Sequence, residues 1–101
     1  MVPAPAIQPA PPPAPLIQAS FDCSAASSDV ERLICSDNQL AQLDIRVADM
    51  YRRGLAMVVD QNVFRGEQQV FLSDRDACMD KQCLAVAYEA RIKDLLRWVT
   101  P

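Results

Sequence analysis

The chain has 101 residues, a net charge of −3, no histidine, two glycines, eight prolines and four cysteines. Without histidine, neither a Ser-His-Asp triad nor a histidine-ligated metal can form within one chain. Gly54 and Gly66 alone cannot build a Gly-rich phosphate loop, and a pI near 4.7 argues against nucleic acid.

Residues 1–20 are a Pro/Ala tract holding seven of the eight prolines. Proline removes backbone donors and favours an extended, semi-rigid chain. The expectation is a flexible linker that is dispensable for folding, followed by one domain over 21–101. This start has no basic stretch, and proline breaks its apolar residues, so it does not read as a signal peptide. It reads as a trimmed chain with an added Met1, and an export signal or lipid anchor is placed upstream.

From Phe21 to Thr100 there is no proline, and the composition favours helix. Ser28 with Glu31 fits a capping box. Val30, Leu33 and Ile34 give a short apolar face ending at Cys35. Ser36-Asp37-Asn38 reads as a turn and the next N-cap. Leu40, Leu43, Val47, Met50, Tyr51 and Leu55 keep 3-and-4 spacing, which predicts a helix to about Val59.

Asp60-Gln61-Asn62 is the next break. Phe64, Gln68, Phe71, Leu72 and Arg75 share one helical face, but Gly66 costs about 1 kcal/mol against alanine. The helix is therefore expected to begin only after Gly66. Asp76 to Gln82 is read as a loop. Leu84, Ala87, Tyr88, Ile92, Leu95 and Val99 predict a final amphipathic helix. The fold class is all-α: a small antiparallel bundle of three to four helices. Every proline-free apolar run, Leu55 to Val59 among them, is far short of the roughly 18 residues of a membrane span.

A domain of about 80 residues buries only some 60% of its unfolded surface, so it needs staples. Cys23, Cys35, Cys78 and Cys83 allow three pairings. The local pairs Cys23–Cys35 and Cys78–Cys83 are favoured, because each joins a loop to the end of an adjacent helix. The spacing does not resemble paired zinc knuckles, and no metal or other cofactor is expected. Disulfides imply the periplasm, the outer envelope or a secreted location.

Phe21-Asp22-Cys23, Glu31, Ile34-Cys35, Leu40, Leu43-Asp44, Tyr51, Gln68, Leu72, Arg75, Cys78, Cys83-Leu84, Tyr88 and Arg91-Ile92 form a pattern. It resembles the bacterial LprI-like lysozyme-inhibitor domain family over residues 21 to about 98. Two positions depart from it: Phe71 stands where tryptophan is usual, and Ala25-Ala26 where lysine is frequent. The resemblance implies a disulfide-bonded, all-helical envelope protein, secreted or lipid-anchored.

Asp44, Tyr51, Arg75, Tyr88 and Arg91 sit beside core positions and are read as a polar network that fixes helix register, since buried charges must be paired. No catalytic residue is assigned, because so small a bundle has little room for a sugar cleft between two carboxylates. Residues 21–44 carry five acids against Arg32, a net charge of −4, while residues 45–101 carry eight acids and nine bases. Asp22, Asp29, Glu31 and Asp37 are therefore candidate contacts for a cationic partner.

With these features, the resemblance implies a non-catalytic envelope protein that inhibits a lysozyme-type peptidoglycan hydrolase by occlusion. The alternatives are an immunity protein against a peptidoglycan-cleaving toxin, or an adaptor domain with no enzyme target.

Overall fold

The computed structural model describes residues 17–99. A 3-10 turn, Cys23–Ala25, precedes four α-helices: α1 Asp29–Cys35, α2 Asn38–Met57, α3 Gln61–Asp76 and α4 Lys81–Leu95. No strand occurs among the described residues. The chain is an all-α bundle with two disulfides.

Each helix starts on a side chain that accepts its orphan N–H groups. Ser28 and Glu31 form the reciprocal capping box of α1. Asp37 caps α2 through the Gln39 and Leu40 N–H groups, Asp60 caps α3 through Val63, and Asp80 caps α4 through Cys83. Asp60 thus opens α3 directly, and the helix does not wait for Gly66. The space around Gly66 is open, and two residues earlier Phe64 is anchored at 2% exposure. Core burial outweighs the modest helix cost of one glycine. The loop expected over Asp76 to Gln82 contracts at both ends, because Asp76 closes α3 and Lys81 opens α4.

The core gathers Val30 and Ile34 from α1, Leu40, Ala41, Val47 and Met50 from α2, Phe64 and Phe71 from α3, and Leu84, Tyr88, Ile92 and Leu95 from α4. α2 and α4 share the most extensive interface, and α1 packs chiefly on α2. Residues 1–16 of the expected linker lie outside the described residues. Residues 17–20 of the same stretch are described, and Ile17 and Ala19 pack against the core.

The disulfides take the local pairing. Cys23–Cys35 ties the 3-10 turn to the end of α1, with Cα atoms 5.7 Å apart. Cys78–Cys83 clamps the α3–α4 turn, with Cα atoms 5.5 Å apart. None of the described helices is long and apolar enough to cross a membrane.

Candidate functional site

The acids singled out at the N-terminal end of the fold are built into local structure. Asp22 accepts the backbone N–H and hydroxyl of Ser24 at 2.9 and 2.7 Å and caps the 3-10 turn. Glu31 accepts from Ser27 and Ser28. Asp37 accepts from Gln39 and Leu40 and faces Lys81 Nζ at 3.6 Å. Asp29 is paired with Arg32 at 2.7 Å. Hydrogen bonds favour the charged form. The Ser24 hydroxyl holds Asp22 below the usual carboxylate range, and the Ser27 and Leu40 backbone N–H groups do so for Glu31 and Asp37. Each of these charges already has a structural role.

The five polar residues read as one network fall into two groups. In the first, Asp44 is 4% exposed on α2. Its Oδ1 accepts from the Tyr88 hydroxyl at 2.8 Å, and its Oδ2 accepts from the Ser20 N–H. Arg75 Nη1 lies 3.9 Å from Oδ1, while the Arg75 fork donates to Asp76 at 2.9 and 2.8 Å. Burial, reinforced by the Asp44 charge, pushes the Tyr88 phenol well above its ordinary value. Asp44 has donors on both oxygens and almost no solvent contact, so it ties α2 to α4 and the N-terminal segment.

The second group surrounds Phe64. Tyr51 stacks on the Phe64 ring at 5.3 Å between centroids, Trp98 meets its edge at 6.2 Å, and the Arg91 guanidinium lies 6.0 Å from its centre. Arg91 Nε donates to Gln68 Oε1 at 3.0 Å, and Arg91 is 6% exposed. Its Nη2 is a buried donor with no partner among the described residues. Burial lowers the Arg91 pKa, but a guanidinium remains a cation at any physiological pH. Sequence reasoning did not reach Gln68 as the partner of Arg91, nor Gly54. The Phe64 ring approaches Gly54 so closely that a Cβ there would stand 2.6 Å from Phe64 Cζ.

Two concavities flank these groups. One, of about 870 Å³, lies between Ala19-Ser20 and the outer side of α2 and is lined largely by polar residues such as Gln42, Arg46 and Asp49. The other, of about 430 Å³, is a groove between α3 and α4 that contains Phe71, Arg91 and Trp98. The described residues contain no cluster of three or more metal-ligating side chains.

Three curated relatives match the chain. Each is named Lipoprotein LprI: one from Mycobacterium bovis and two from strains of Mycobacterium tuberculosis. Each is 31% identical over 80 residues, covering 75% of this chain and 40% of the relative. The chain therefore spans well under half the length of these relatives. No family model matches, and no solved structure matches. The four cysteines agree with the relationship, and the chain is LprI-like.

Proposed function

Taking this LprI-like relationship as the premise, we propose that the protein is a non-catalytic envelope protein, exported or lipid-anchored, that binds and inhibits a lysozyme-type peptidoglycan hydrolase. The relationship across 75% of the chain carries the reading. The geometry supports it in two respects. Asp44, the one deeply buried carboxylate described, is committed to Tyr88, Ser20 and Arg75, which suits a scaffold better than a general acid. Two disulfides and four capped helices make a rigid body, the kind that blocks a cleft without rearranging.

The acidic N-terminal end, with Asp22, Asp29, Glu31 and Asp37, steers a cationic target toward the inhibitor. The test is a cell-wall lysis assay in which the oxidised chain is titrated against a panel of lysozyme-type hydrolases. Saturable inhibition that weakens as salt rises is expected. Absence of binding across the panel would refute the reading and leave an adaptor role.

A further inference from the structure

The α3–α4 groove combines two features that the N-terminal acids lack. The first is exposed apolar surface. Val70 is 62% exposed and Trp98 47%, and they share the groove with Ala87, Ala90 and the buried Phe71. On α3 the exposed residues Val63, Glu67, Val70 and Asp74 follow 4, 3, 4 spacing and so form one stripe along the helix. The second is an excess of negative charge: Glu67, Asp74 and Asp94 line the groove against Arg91 and Arg97. Glu67 and Asp74 flank Val70; neither carboxylate makes a hydrogen bond or close ion pair among the described residues, although Glu67 acts on the Arg91 charge, and Asp94 across the groove is paired with Arg97 at 3.0 Å.

We propose that this groove seats a basic segment of the protein target, with apolar side chains on Val70 and Trp98 and cationic side chains beside Glu67 and Asp74. Charge complementarity selects that occupant, since Glu67, Asp74 and Asp94 outnumber Arg91 and Arg97 along the groove. Taking the target to be the hydrolase rests on the reading above, but the groove itself does not. The N-terminal acids then govern the encounter, and the groove governs residence.

Two measurements test this on the full oxidised chain. With a cationic lysozyme as the probe, Val70→Lys and the double variant Glu67→Gln/Asp74→Asn should each raise Kd about tenfold, mainly through faster dissociation. Asp22→Asn/Asp37→Asn should slow association and leave dissociation near its original rate. All the groove positions changed are exposed, so the helical circular dichroism should be unchanged.

The second probe is a short lysine- and leucine-rich peptide without tryptophan. Trp98 is the chain's only tryptophan, so seating the peptide should shift its emission to the blue, and Val70→Lys should abolish the shift. Wild-type lysozyme affinity in both groove variants would overturn the groove, as would a peptide that leaves Trp98 unchanged. A panel without lysozyme binding, together with a Val70-dependent Trp98 shift, would uphold the groove and defeat the hydrolase reading.

Discussion

The two glycines differ in what surrounds them, and that difference decides the sign of the same substitution. Gly54 is buried on α2, and an added Cβ would meet Phe64 Cζ at 2.6 Å. That ring cannot swing away, because Tyr51, Trp98 and Arg91 surround it. Gly54→Ala gains about 1 kcal/mol of helix propensity but should lose about 1–3 kcal/mol to overpacking. Net destabilisation in urea unfolding is expected. Gly66→Ala meets nothing within 4 Å and should stabilise the protein by about 0.5–1 kcal/mol. Equal effects would show that Phe64 does not sit against α2 as described. At the buried pair, Tyr88→Phe removes the donor 2.8 Å from Asp44 Oδ1. It should cost about 1–3 kcal/mol, because a buried carboxylate then loses a hydrogen bond at almost unchanged volume. A loss under about 0.5 kcal/mol would mean that Arg75 or solvent replaces the phenol.

At the scale of the helices, sequence reasoning succeeded where the signal is local. Ser28 with Glu31, and Asp37 after Ser36, mark helix starts because a cap needs only residues within one turn of each other. It failed at Gly66, where propensity pointed to a later start and the tertiary anchor Phe64 prevailed. It also divided linker from domain by composition at residue 20, although Ser20 donates to Asp44 on α2, 24 positions away. The splitting of the five polar residues into an Asp44 group and a Phe64 group was equally illegible, since spacing along a helix says which face a residue takes but not its partner on another helix.

The caps also set the response to acid. Asp22, Glu31 and Asp37 have folded pKa values below their ordinary values of 3.8, 4.5 and 3.8. Their contribution is complete above those ordinary values and is lost as pH falls through the lower, folded ones. Urea midpoints should therefore hold at pH 5–7 and fall below about pH 4. The triple variant Asp22→Asn/Glu31→Gln/Asp37→Asn should show a shallower acid slope; an unchanged slope would assign acid sensitivity to other carboxylates.

For the whole molecule, the two disulfides act on different parts of one small core. The chain-entropy model gives about 3 kcal/mol for a loop the size of Cys23–Cys35 and about 2 kcal/mol for one the size of Cys78–Cys83. Either is a large fraction of the roughly 5 kcal/mol expected at the low end of domain stability. Size alone does not describe the consequence. Cys23–Cys35 holds the 3-10 turn against α1, a seven-residue helix that packs chiefly on α2. Cys78–Cys83 holds α3 against α4, which share Phe71 and Tyr88 with ring centroids 5.5 Å apart at the centre of the core. Opening the first should loosen residues 17–36 while α2, α3 and α4 remain packed, whereas opening the second should lower the stability of the whole bundle. Hydrogen exchange on Cys23→Ser/Cys35→Ser and Cys78→Ser/Cys83→Ser resolves the two cases. The first variant should lose protection in α1 by far more than in α4, and the second should lose it evenly across α2, α3 and α4. Uniform loss in the first variant would mean that α1, through fully buried Ile34, is integral to the cooperative core. The N-terminal end of the fold could not then loosen independently of the α3–α4 groove.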